Sequence, residues 1–498
     1  MKLLKTFILA SALTASFASC DMDKYPYDAI PVDNAIQTLS DCEKLRNGMY
    51  RDLRIISFAT NSLASDFQAD QFIPASYWGN QYGSQYRWEA TAADGSFSTV
   101  YNNGYVTIAQ CNMLIAGCQQ LLNRNNLNAT DEAAAKNFLG EAYLVRAFAY
   151  EMLAERFCAL YSQESAASTM GLSLVTEYKP SADNSTFPGR SNLADTYARI
   201  KEDIRLAQEN LKAAGKQDNP YLSIDALKAF EARVALLTGD YDTAISNAEA
   251  LINSNAYPLI KDQQQFNSMW LNDQSTEVIC QLHADKQELA FGMGSSFLDE
   301  IMHKPYFFPS LDIVNLYGEN DIRLNAFFAM DNIAFETNDK EDMVVFYKYP
   351  GNPALYEGSN NYVNKPKLFR IAEQYLIAAE AYYLKGGVNN EEKAYNWIYK
   401  LMSARDKDVK NNKLTGTALR NLIRDERQRE LVGEGFRLND LKRYGEGFTR
   451  QKAQKENRSY QLALNLTIQA DNFRWIWAIP KDEMDANPQL KGQQNPGY

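Results

Sequence analysis

The segment from Asp225 to Pro258 constrains the fold more than any other part of the chain. It reads DALKAFEARVALLTGDYDTAISNAEALINSNAYP. Ala232 in its first half, and Ala244 and Ala248 in its second, are small enough for two helices to approach closely. Gly239-Asp240-Tyr241 supplies the turn between them, and Pro258 ends the unit. A looser copy runs from Arg370 to Arg405, with Ala379, Gly386-Gly387, Ala394 and Leu401. The marker alanines lie 12 residues apart in the first copy and 15 in the second. That difference predicts a turn three residues longer in the second. The stretch 138–160 reads as a weaker third copy, and three stacked units are the minimum that buries a repeat face.

This pattern resembles the tetratricopeptide repeat, whose period is about 34 residues. Further helices are expected over 35–56, 99–122, 132–161 and 192–213. In the third of these, Phe138, Ala142, Val145, Ala149 and Met152 recur at spacings of four, three, four and three, one face of a helix. Only 25 Gly and 15 Pro occur in 498 residues, few breakers for so long a chain. The expected fold is mainly α: helical repeats forming a right-handed superhelical scaffold. One domain over 20–498 is expected, with the repeat core at about 99–258 and 370–445, rather than the three domains that length alone suggests. Residues 60–98, 283–310 and 331–367 lack helical period. Unpatterned segments this long are usually functional, and the aromatics crowd into them.

The first nineteen residues read as a leader. Lys2 and Lys5 precede an apolar run, Thr6 to Phe17, too short to span a bilayer. Ala18-Ser19-Cys20 then resembles a bacterial lipobox, which makes Cys20 the lipidated first residue of the mature chain. Several acyl chains on one residue anchor stably where a single chain is marginal. Five cysteines remain, Cys42, Cys111, Cys118, Cys158 and Cys280, an odd number unsuited to a disulfide framework. They are expected to be buried thiols.

Net charge is −11, or −13 once the leader is removed, which argues against a nucleic-acid partner. Two His and no CxxC leave no basis for a metal or other cofactor, and none is expected. No HExxH, GxSxG or GxxxxGK[ST] motif is present. The chain is therefore expected not to be an enzyme.

Four stretches then carry a resemblance to a family. They are Trp88 through Tyr101, Ile108 and Asn112; Gly140-Glu141-Ala142-Tyr143-Leu144-Val145-Arg146-Ala147; Phe369-Arg370-Ile371-Ala372-Glu373-Gln374-Tyr375-Leu376; and Ile423 to Arg443 with the Pro-punctuated tail to Tyr498. Together they resemble the SusD (RagB/SusD) family of Bacteroidetes nutrient-uptake lipoproteins. The resemblance implies an outer-membrane, lipid-anchored, outward-facing protein. It implies capture of an oligosaccharide and delivery to a SusC-like TonB-dependent transporter. The alternatives are a RagB-like peptide binder or a tetratricopeptide-type interaction scaffold.

Carried over by position, the ligand-binding candidates are Asp66, Phe72, Tyr77, Trp78 and Asn80, with Tyr82 and Tyr86 beside them, and Phe297, His303 and Tyr306 from the later loop. Aromatic rings suit the C–H face of a sugar, while Asn and Asp read its hydroxyls. For Trp78, binding and core packing are both open. Trp88, Trp270, Trp397, Trp475 and Trp477 are expected in the core. In the Ile423–Arg443 stretch, Asp425 and Arg429 have i,i+4 spacing. Glu426, Glu430, Arg427 and Arg437 are expected to form a salt-bridge lattice at a helix junction, with an acid/base carboxylate pair as the other reading.

Overall fold

A computed structural model describes residues 36–498, apart from 125, 299–303, 337–338, 451–452 and 461–465. The leader and Cys20 lie outside the described residues. The protein is mainly helical. Its helices include α1 (Leu39–Ser57), α2 (Thr60–Gln68), α3 (Gly95–Asn123), α4 (Ala129–Phe157), α5 (Leu193–Asn210), α6 (Ile224–Leu237), α7 (Tyr241–Asn253), α8 (Ile371–Lys385), α9 (Val388–Arg405), α10 (Gly416–Leu431) and α11 (Arg437–Tyr444). Local chemistry sets many of their starts. The side chains of Asn128, Asn192, Ser223 and Asp240 each accept a backbone N–H from the first turn of α4, α5, α6 and α7.

The helices stack as pairs: α3 on α4, α4 on α5, α6 on α7, α8 on α9. α7 also packs directly on α8, although residues 254–370 intervene. The chain thus leaves the helical stack after one repeat, builds a second layer, and returns to add the next repeat. The fully buried Ala232, Ala244, Ala248, Ala379 and Ala394 are the small residues of these interfaces. All five cysteines of the described residues are buried and free. No helix among the described residues is long and apolar enough to cross a membrane.

Two expectations about elements change. The second repeat does not have the longer turn: Gly386-Gly387 alone separates α8 from α9, both at positive φ (75° and 91°). The extra residues lengthen α9 ahead of Ala394, since two glycines free of Cβ reverse the chain in fewer residues than Thr238-Gly239-Asp240 do. The segment 60–98 is not wholly loop. Its first nine residues form α2, whose Leu63, Ala64 and Phe67 are buried at helical spacing.

The second layer is built around two short antiparallel pairs, β1 (Phe72–Pro74) with β3 (Phe307–Pro309) and β4 (Phe328–Glu336) with β5 (Asp339–Phe346), while a third pair, β2 (Val278–Gln281) with β6 (Lys367–Arg370), packs on the helical core through Ile279, Cys280, Leu368 and Phe369. The second layer has its own hydrophobic core. A buried ionic lattice joins the layers. Arg405 bonds both Glu277 (2.7 and 2.8 Å) and Glu430 (3.0 Å); Glu430 also receives Arg370 (2.7 Å) and Arg323 (3.1 Å). Arg323 reaches Glu426 at 2.7 Å, Arg427 pairs with Asp440 and Arg437 with Asp70. Despite the cost of burial, the three guanidinium groups hold the Glu430 carboxyl well below the usual carboxylate range. Glu426 and Glu430 are thus ion-paired structural groups. Arg429 turns to Glu426 at 2.7 Å, so the Asp425–Arg429 spacing does not give an ion pair.

Candidate ligand-binding face

α2 and β1 bring the 60–98 segment against β3, the β4–β5 hairpin and the turn before Tyr460. Antiparallel pairing places Phe72 opposite Pro309, and Pro74 opposite Phe307. An isolated bridge joins Ala75 to Ser459, and the Tyr460 N–H donates to the Pro74 carbonyl at 3.0 Å. Three stretches far apart in sequence therefore meet at one surface.

Beneath it lies a floor of interlocked rings. Phe67 stacks on Phe307 with centroids 3.7 Å apart. Phe297 lies 4.9 Å from Phe72 and 4.6 Å from Phe346. Trp78 sits edge-on between Tyr86 (5.6 Å) and Phe307 (5.5 Å), with Tyr460 at 5.1 Å. Arg450 stacks on the Tyr86 ring at 3.5 Å and donates to the carbonyls of Ala69 and Tyr86, both at 2.6 Å. A guanidinium thus ties together the carbonyls at the end of α2 and after the Tyr86 turn.

This arrangement divides the candidates. Phe72, Trp78, Tyr86 and Phe297 are buried in the ring floor, Trp78 with only 4% of its surface exposed. Asp66 is fully buried and accepts the Gly435 N–H at 2.9 Å; burial pushes its carboxyl up to about 7. These five side chains do not face solvent in this structure, and for Trp78 this is the core-packing alternative. The reason is packing: β1 pairs with β3, and their rings interdigitate with those of α2.

Tyr77, Asn80, Tyr82 and Tyr306 are the candidates that reach the surface. Tyr77 packs edge-on against Phe335 at 5.7 Å, with the Lys304 ammonium 5.4 Å from its ring centre. Tyr82 leans on Phe67 at 5.4 Å. Asn80 is exposed, and its side-chain oxygen accepts from Arg87 at 2.7 Å. Gly79, Asn80 and Tyr82 all have positive φ, so the chain turns through the left-handed region at the loop tip. His303 lies outside the described residues.

The sequence reading missed Lys304, Phe335, Arg458 and Tyr460. Arg458 lies 4.4 Å from the Phe335 ring centre and donates to Asp339 (2.7 Å) and Glu341 (3.0 Å), fastening the hairpin to this face. No periodicity marks Tyr460; the Ala75–Ser459 bridge and its own N–H bond to the Pro74 carbonyl bring it in. Among the described residues no cluster of three or more His, Cys, Asp or Glu is arranged to hold a metal ion.

A two-layer protein of this kind, tetratricopeptide-like helices carrying an aromatic loop layer, is a recognisable class. Residues 311–498 match the model described as SusD family, and residues 22–236 match the model described as starch-binding associating with outer membrane. The chain belongs to the SusD family. It is similar to a solved SusD superfamily protein from Bacteroides thetaiotaomicron, with 25% identity, TM-score 0.78, and coverage of 92% of this chain and 100% of that one. A solved SusD-like carbohydrate binding protein from Bacteroides vulgatus shares the fold at 18% identity, TM-score 0.74, over 91% of this chain and 98% of that one. A SusD-like protein of Formosa agariphila is 24% identical over 360 residues, which span 61% of this chain and 66% of that protein, just under two thirds of its length.

Proposed function

We propose that this protein captures an oligosaccharide on the face formed by Tyr77, Asn80, Tyr82 and Tyr306, flanked by Lys304 and Tyr460. It holds the ligand without turning it over. It is anchored through lipid on Cys20 at the outer membrane, faces the cell exterior, and passes the ligand to a SusC-like TonB-dependent transporter. The observation that carries this reading is the trio of partly exposed tyrosines seated on a rigid floor of rings. Each offers part of a flat apolar ring face, and the exposed Asn80 adds amide hydrogen-bonding groups at the rim. Membership of the SusD family and a solved relative named as carbohydrate binding support the ligand class.

Affinity electrophoresis across a polysaccharide panel tests the reading, beside a peptide panel and a product assay. A retarded glycan is expected. Tyr77→Ala combined with Tyr306→Ala is expected to weaken binding about tenfold or more, because each ring contributes on the order of 1 kcal/mol. Glycan binding that survives the double substitution would remove this face from consideration. Release of shortened sugars would replace capture with catalysis.

A further inference from the structure

A second concave site opens on the helical side of the molecule and shares no residue with the tyrosine face. It is a cleft of about 430 Å³. Its walls are the chain after α4 (Leu160 to Glu164), the α6–α7 turn (Leu236 to Tyr241), the end of α8 (Glu380, Tyr383, Leu384), and α10 with α11 (Arg420, Arg424, Arg443, Tyr444). That volume falls within the range of small-molecule sites, and is too small for a protein domain.

Its chemistry is divided in two. Leu160 and Leu384 stand 45% and 44% exposed, beside the partly exposed Tyr161, Tyr241 and Tyr383. This is an aliphatic surface that gains from an apolar partner. The other wall carries Arg420, Arg424 and Arg443, with the carboxylates of Glu164 and Glu380 also in the lining. Arg420 and Arg424 are four residues apart on α10 and so share one face. Arg424 lies 3.9 Å over the Tyr444 ring and donates to Glu446 at 2.6 Å. The only hydrogen bond of Arg420 among the described residues is a 3.4 Å contact to the Asn421 side chain, so its fork is open. Arg443, by contrast, is consumed by Glu380 and Asp440 and serves as wall.

We propose that this cleft binds a short aliphatic peptide by its free carboxyl terminus. The carboxylate is received by Arg420, with Arg424 beside it, in the two-pronged geometry a guanidinium offers. The aliphatic side chains lie on Leu160, Leu384 and the tyrosines. The polar groups of Ser162, Gln163 and Thr238 meet peptide amides, which a simple fatty acid lacks. A sugar acid satisfies the arginines but leaves the leucines against hydroxyls.

The test is titration calorimetry of the full mature protein with leucyl-alanyl-leucine, the same tripeptide amidated at its C-terminus, hexanoate and a galacturonate trisaccharide. The free tripeptide is expected to bind. Amidation, Arg420→Gln and Leu384→Ser are each expected to weaken it about tenfold or more, the scale of a lost charge-assisted contact. Arg420→Lys, which keeps the charge without the fork, is expected to restore binding only in part. Tyr77→Ala with Tyr306→Ala is expected to leave peptide binding unchanged, so failure here and failure of the glycan face are separate results. No heat with the free tripeptide at millimolar concentration, equal binding of the amide, or preference for the galacturonate or hexanoate would overturn the proposal.

Discussion

Asp66 is a carboxylic acid placed where a carboxylate is costly. It is fully buried, accepts one backbone N–H from Gly435, and has its carboxyl raised by burial to about 7 from an ordinary value near 3.8. Because the folded value lies above the unfolded one, the penalty is absent at pH below about 4. It accumulates as pH rises toward 7. Asp66→Asn keeps an acceptor for the Gly435 N–H and cannot ionise. The melting temperatures of the two proteins are expected to be close at pH 4 and to separate in favour of the variant by pH 8. The free-energy gap is expected to reach up to about 4 kcal/mol, the equivalent of moving the carboxyl from 3.8 to about 7. A constant difference across that range would show that Asp66 ionises freely. At this scale the sequence showed which residue types gather in the loops, but not which way each points. Tyr77 and Trp78 are neighbours in one polar loop, yet one reaches the surface and the other is closed in by Tyr86, Phe307 and Tyr460. An unpatterned segment has no period from which facing can be read.

Helix contacts depend on small residues at defined places. A Cβ on Gly140, in α4, would lie 2.5 Å from the backbone nitrogen of Leu211 at the end of α5. Backbone cannot yield as a flexible side chain does. Gly140→Ala is therefore expected to destabilise by about 1–3 kcal/mol, read as a lower denaturant midpoint. That expectation runs against the gain in helix propensity, and a raised midpoint would refute it. The same stretch shows how far a motif can be read: Arg146 bonds Asp203 at 2.6 and 2.9 Å and Asn112 at 2.7 Å, so two of the quoted motifs are partners across helices. Long helices were legible because their apolar faces repeat over many turns. The nine-residue α2 and the two-glycine turn were not, since so few residues carry little periodic signal.

The two layers are locked by charge as much as by apolar packing. Arg405, from α9, reaches Glu277 beside β2 and Glu430 on α10 with both carboxylates buried. Arg405→Met keeps most of the volume and leaves Glu277 without its cation. A loss of about 3–5 kcal/mol is expected, the usual cost of breaking a buried pair from one side, measured as a shift of the urea midpoint. A loss below 1 kcal/mol would mean that the remaining arginines compensate.

Some of this protein follows from the order of its residues alone. The alanine-spaced helix pairs, the buried thiols, the salt-bridge character of the Ile423–Arg443 stretch and the family itself are all carried by local spacing or by contiguous motifs. Spacing of three and four residues is itself a physical instruction, because it places apolar groups on one face before any tertiary contact forms. What only the tertiary structure decided is what lies far apart in sequence: that α7 meets α8 across residues 254–370, that Tyr460 joins Tyr77 and Tyr306 at one surface, that Arg420 faces Leu384 across a cleft, and that Trp78 lies inside rather than out. Those outcomes depend on strand pairing and on which rings interdigitate. Such contacts have no local signature, because each exists only when both of its halves are in place.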